Sequence, residues 1–168
     1  LYSVVYTPLK RHTPFAVLVG AFPGAFPPML GWIAATNRIG LEAVLLYAIQ
    51  FIWQFPHFWS IAWILHDDYL RAGFRMLPSA GGRNRSSAFQ TLVYTACLIP
   101  MAFLPYAFHQ AGWITTAALL VCGLVFTWQS MLLYRKLDIP SAHRLMFGSF
   151  LYLPAVQLSW MFEKLLSS

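Results

Sequence analysis

Acidic residues are scarce in this chain. Asp and Glu together number five in 168 residues, and charged residues of both signs make up 10%. An ordinary soluble domain carries about 25%. So few charges cannot solvate the surface of a monomeric water-soluble globule of this size, and a disordered tail would need more charge and less apolar content. Cysteine is scarce as well. Cys97 and Cys122 are the two present, with no C-x-x-C pair. That excludes a secreted disulfide scaffold, and both read as small buried hydrophobes rather than as redox or metal groups.

What is present instead is 59% apolar residues, gathered into blocks. Residues 13–37, 43–66, 86–134 and 145–162 carry no formal charge. Crossing about 30 Å of hydrocarbon at 1.5 Å per residue takes roughly 20 residues, so the run 86–134 holds two crossings. The pattern predicts an all-α, polytopic transmembrane helical bundle in one membrane-embedded domain, with full spans at about 14–36, 43–65, 88–108, 113–134 and 145–162. The opening residues Leu1-Tyr-Ser-Val-Val have neither an initiator Met nor a basic stretch, so they are not a signal peptide. They read as the last turns of a sixth span, and the chain as the C-terminal portion of something longer.

The net charge of +6 invites a nucleic-acid reading, but its distribution argues against one. With these spans, Lys10, Arg11, Arg71, Arg75, Arg83, Arg85, Arg135, Lys136 and Arg144 fall on one side, and Arg38 and Lys164 on the other. Nine against two is the positive-inside asymmetry. It places the basic side in the cytoplasm, or in the matrix of an organelle, and leaves no nucleic-acid partner to explain.

Two spans depart from a plain apolar helix. The first repeats Gly-Ala-Phe-Pro at 20–23 and 24–27, so that Gly20 and Gly24 permit close helix approach while Pro23, Pro27 and Pro28 kink the helix. The second carries Tyr47, Gln50, Gln54 and His57, whose spacings of 3, 4 and 3 put all four on one helical face. Polar groups at that depth face the bundle interior or water. The stripe predicts a cavity lined by Tyr47, Gln50 and Gln54. A helix that runs on places Asp68 and Arg71 on the same face, as charged groups at the mouth of the pocket.

Two charged clusters share the basic side: Tyr6-Thr-Pro-Leu-Lys10-Arg11, and Asp67-Asp68-Tyr-Leu-Arg71-Ala-Gly73. Adjacent cations bind phosphate oxygens, Arg by a bidentate fork and Lys as a point charge. Paired carboxylates beside them suit Mg²⁺, which takes one or two carboxylates, waters and substrate phosphate oxygens. Plainer readings stand beside these. Lys10 and Arg11 also serve as membrane anchors, Asp67 and Asp68 also pair with Arg71 within one helix, and Gln50 and Gln54 also join helices. His57 reads either as a buried, hydrogen-bonded ring or as a functional group.

Taken together, Tyr6-Thr-Pro-Leu-Lys-Arg, Gly20-Ala-Phe-Pro-Gly-Ala-Phe-Pro-Pro-Met-Leu-Gly-Trp32, Trp53-Gln-Phe-Pro-His-Phe58 and Asp68-Tyr-x-x-Ala-Gly73 resemble the protohaem IX farnesyltransferases. These are the haem O synthase branch of the UbiA-like intramembrane prenyltransferases. The resemblance implies a nine-span bundle around a central cavity and farnesyl transfer from farnesyl diphosphate to a vinyl group of haem B. Short loops and the lack of a transit peptide point to a bacterial inner membrane, with the mitochondrial inner membrane as the alternative. The resemblance assigns diphosphate binding to Tyr6, Lys10 and Arg11 with help from Arg71. It gives Mg²⁺-diphosphate to Asp68 with Asp67, and makes His57 a haem-facing group, either axial ligand or proton acceptor. Partners in haem A synthase or terminal oxidase assembly follow by the same route. The family's first Asn/Asp-rich motif has no counterpart in this sequence, which implies that this stretch alone is inactive. Rival readings are a UbiA-like enzyme acting on a quinone precursor or chlorophyllide, a transporter, and a non-catalytic oxidase-assembly subunit.

Overall fold

The computed structural model describes residues 16–79 and 81–167. Eight helices follow in order: α1 (Ala16–Gly24), α2 (Phe26–Thr36), α3 (Leu41–Ile64), α4 (His66–Arg71), α5 (Arg85–Met101), α6 (Leu104–Ala107), α7 (Trp113–Lys136) and α8 (Ile139–Ser167). There is no strand among the described residues. Among the described residues, four stretches are long and apolar enough to cross a membrane: Val17–Thr36, Arg85–Ala107, Trp113–Lys136 and Ile139–Leu166. The remaining expected span, 43–65, falls on α3. It matches the others in length, but Gln50, Gln54 and His57 keep its composition from reading as a lipid-facing helix.

That polarity fits the position of α3. Fourteen of its 24 residues are buried, whereas α2 buries none. It packs against α1, α2, α5 and α8, and α7 closes the bundle against α5 and α8. The core follows this seam, with Trp53, Phe55, Trp59 and Trp63 of α3 joined by Leu98, Phe126, Tyr152 and Trp160 from the later helices. Large apolar residues such as Trp113, Trp128, Phe147 and Leu151 stay mostly exposed. Such a surface suits hydrocarbon and not water. Cys97 also lies on this outer face, exposed rather than buried as expected, and Cys122 is half-buried.

The helix breaks are local events with identifiable causes. Pro23, Pro27 and Pro28 each remove a backbone donor, and the first span parts at Ala25 into α1 and α2. Asn37 ends α2 in the left-handed conformation (φ 53°), its N–H bonding the Ile33 carbonyl at 2.7 Å. The helix carrying the polar stripe does not run on unbroken. It stops at Ile64, Leu65 takes φ −94° and ψ 20°, and the acidic segment forms the separate short helix α4. Asn84 then caps α5 by accepting the Ser87 N–H at 2.9 Å.

The bundle has two distinct ends. Glu163 near the end of α8 meets Gly112 at the start of α7, and Lys164 meets Glu42 at the start of α3. Asp67 after α3 meets Arg83 before α5 at the opposite end. The starts of α3 and α7 thus gather with the end of α8, away from the turn between α3 and α5.

Candidate functional site

The acidic end of α3 is organised by a residue that spacing did not single out. Arg83 donates from Nε to the Trp63 carbonyl at 2.6 Å and from Nη2 to the Ile64 carbonyl at 3.0 Å. Its Nη1 donates to Asp67 Oδ2 at 3.0 Å. One guanidinium therefore satisfies two carbonyls that helix termination leaves open and fixes a carboxylate beside them. Asp68 is held less firmly: Arg71 reaches its Oδ1 at 3.5 Å, and both side chains are mainly exposed. Asp67 thus has the shorter pair and Asp68 the longer, and both carboxylates stay mainly exposed.

His66 packs behind this pair. Gly82 has φ +70°, and a Cβ there would lie 2.5 Å from His66 Nε2, so the turn needs glycine for both conformation and space. Burial pushes the His66 pKa below its ordinary 6.5, the Arg83 charge adds to the shift, and Asp67 opposes it.

The polar stripe of α3 does share one side of the helix, but its members have different partners. Gln54 Nε2 donates to the Ala21 carbonyl at 2.7 Å, and the Tyr47 hydroxyl donates to the Phe22 carbonyl at 3.3 Å. Both acceptors lie just before the α1–α2 break, so these side chains support backbone at the proline-rich kink. Gly24 completes the arrangement, since a Cβ there would run into Gln54 Oε1. Gln50 instead lines a cavity of about 590 Å³ between α2, α3 and α8, with Pro27, Trp32, Gln157, Trp160 and Met161 among its walls. That volume is in the range of small-molecule sites. The cavity carries no ionised lining group and lies along the half of α3 away from the acids. Seventeen residues separate Gln50 from Asp67, roughly 25 Å of helix at 1.5 Å per residue. Among the described residues, the charged end and this cavity are separate features joined by α3, and of the three stripe residues Gln50 lines the cavity.

His57 lies between them. It is buried, with Nδ1 2.7 Å from Ser149 Oγ on α8. Its ring stacks on Trp53 (centroids 4.8 Å apart, 11° between planes) and meets the edge of Phe150 at 5.1 Å. The Trp53 indole N–H donates to the Ser149 carbonyl at 3.2 Å, tying the same α3–α8 seam.

At the far end, the Glu163 carboxylate accepts the backbone N–H groups of Gly112 (2.7 Å), Ile114 (3.1 Å) and Thr115 (3.3 Å). It caps α7 from another helix, where an anion complements the helix dipole. Sequence reasoning stopped the last span at residue 162 and overlooked Glu163. The signal was there, since an acid beside an apolar span asks for a partner. Arg83 and Ser149 had no such signal.

Tyr6, Lys10 and Arg11, the expected diphosphate-binding residues, lie outside the described residues. Among the described residues no three His, Cys, Asp or Glu side chains gather as a metal cage. Asp68 nevertheless fits a weaker requirement, because an exposed carboxylate with one loose partner can share a hard cation with waters and phosphate oxygens.

The chain belongs to the UbiA prenyltransferase family, matching it over residues 1–153. Among its relatives, a Cytophaga hutchinsonii protein named protoheme IX farnesyltransferase is 50% identical over 165 residues, covering 98% of this chain and 58% of that protein. Proteins of the same name from Flavobacterium psychrophilum (44% identical over 171 residues, 99% of this chain and 56% of theirs) and Koribacter versatilis (42% over 171, 98% and 55%) are similar throughout. The chain thus spans somewhat more than half the length of the curated relatives it matches. No solved structure matches it.

Proposed function

We propose that this chain forms part of a prenyltransferase that moves a farnesyl group from farnesyl diphosphate to a vinyl group of haem B, giving haem O. The observation that carries the reading is similarity along nearly the whole chain to proteins named protoheme IX farnesyltransferase. We place the donor's head at the end of the bundle bearing Asp68 and Arg71, with Lys10, Arg11 and Tyr6 as further diphosphate contacts. This basic side faces the cytoplasm of a bacterial cell.

In the reaction the bond between the farnesyl carbon and the diphosphate oxygen breaks, and its electron pair leaves with diphosphate. The allylic cation is taken up by the vinyl electrons, and a water oxygen then bonds the vinyl-derived carbon and loses a proton. Magnesium, held by Asp68 with Asp67 nearby, would neutralise charge on the departing diphosphate. Arg71 adds fixed positive charge at the same place. The aromatic seam around His57 would help keep water from the cation, and aromatic faces stabilise such a cation by about 0.5–2 kcal/mol. His57 is the haem-facing group on this route. Asp67, tied to Arg83, keeps the acidic helix in place.

The test is product formation by the membrane protein with all its spans. Labelled farnesyl diphosphate is offered with haem B or with an aromatic quinone precursor. Label in a hydroxyethylfarnesyl haem with diphosphate release supports the reading. Label only in the aromatic acceptor makes it a different UbiA-like enzyme, and absence of diphosphate release removes the catalytic reading.

A further inference from the structure

His57 Nδ1 lies 2.7 Å from Ser149 Oγ, and that oxygen in turn lies 2.5 Å from the Met146 carbonyl. A carbonyl can only accept, so the single hydroxyl proton of Ser149 points to Met146. Ser149 Oγ is then left to accept, and the proton between serine and histidine belongs to Nδ1. The ring's neighbours here are a hydroxyl, an indole and two phenyl groups, none of them anionic, and the imidazole is neutral. A neutral ring has one N–H, so Nε2 carries the lone pair.

We infer that Ser149 is a positioning residue which holds His57 as its Nδ1–H tautomer and presents Nε2 as an electron-pair donor to an electrophilic centre, the iron of a metalloporphyrin. Two further contacts fix the ring's plane: Trp53 stacks on it, and the Trp53 indole N–H bonds the carbonyl of the same serine. Nε2 meets no hydrogen-bond partner among the described residues, and it is not one of the unpartnered atoms sealed from solvent. A hydroxyl behind one nitrogen with the other left open is the arrangement by which proteins orient a ligating imidazole. The tautomer follows from hydrogen-bond geometry alone, whereas iron as the target rests on the proposed function.

The experiment uses the membrane protein with all its spans, reconstituted in lipid and labelled with ¹⁵N-histidine. The His57 signals are assigned by their loss in His57→Asn. The wild type is expected to show a protonated Nδ1 and a bare Nε2, and haem B titrated into it is expected to give an absorption band that His57→Asn lacks. Ser149→Ala should mix the tautomers and weaken haem binding about 10- to 100-fold. Ser149→Thr, which keeps the hydroxyl, should restore both. Unchanged ¹⁵N signals in Ser149→Ala overturn the inference, as does a loss that Ser149→Thr fails to restore. Altered tautomers with unchanged haem absorption uphold Ser149 as the positioning residue and overturn iron as the target, without bearing on diphosphate release.

Discussion

Arg83 lies sixteen residues beyond Asp67, yet their side chains meet at 3.0 Å while the same guanidinium closes the last carbonyls of α3. The acidic turn is thereby fixed to the end of the most buried helix by one side chain from the following loop. Charge-assisted hydrogen bonds of this kind contribute about 1.5–3 kcal/mol. Arg83→Met is expected to destabilise the protein by about 2–3 kcal/mol, which a thermal melt in detergent would register. Arg83→Lys should recover little of it, because a single ammonium cannot reproduce the fork. Asp67→Asn removes only the exposed side of the arrangement and should cost less than about 1 kcal/mol. An Arg83→Lys protein that melts with the wild type would show that the capping geometry is unimportant.

At the proline-rich kink, Gln54 and Tyr47 make different contributions. Hydrogen bonds inside membrane proteins average about 0.6 kcal/mol and reach about 1.7 kcal/mol. The buried Gln54 bond of 2.7 Å belongs near the top of that range, and the 3.3 Å Tyr47 bond near the bottom. Gln54→Leu should therefore lower stability more than Tyr47→Phe. Denaturant titration of the two variants in the same micelle checks the order, and a reversed order would contradict it.

Much of this fold was legible because lipid imposes long apolar runs, whatever the helices pack against. The expected span at 113–134 is α7, Trp113–Lys136, and the expected 43–65 is α3, Leu41–Ile64. The last helix was read short. Ile139–Ser167 starts ahead of 145 because Asp138 caps it by accepting the Ser141 N–H, and it runs on past 162 through Glu163. The single face holding Tyr47, Gln50, Gln54 and His57 was also readable from spacing. Its partners were not, since helical period says which residues point together and not which neighbour stands opposite. Gln54 finds α1, Gln50 a cavity and His57 finds α8. Arg83 with Asp67 and Glu163 with Gly112 are joined only by the tertiary fold, across 16 and 51 residues.

His66 gives the acidic end a pH dependence of known sign. Its pKa in the folded protein lies below 6.5, so the unfolded chain binds the extra proton more readily. The contribution is intact above pH 6.5 and is lost as pH falls below that value and through the folded one. Melting temperature should accordingly decline on acidification below 6.5, and His66→Gln should flatten that part of the profile. A decline of equal size in His66→Gln would assign the effect to other groups.

The central claim is that the diphosphate end of the reaction lies at the turn bearing Asp68. It is tested most directly by magnesium titration of farnesyl transfer in the protein with all its spans, comparing Asp68→Asn with Asp67→Asn. The account predicts that Asp68→Asn lowers the maximal rate and raises the magnesium needed for half-activation, while Asp67→Asn changes the magnesium requirement much less. An Asp68→Asn enzyme with the wild-type rate and the wild-type magnesium curve would contradict it.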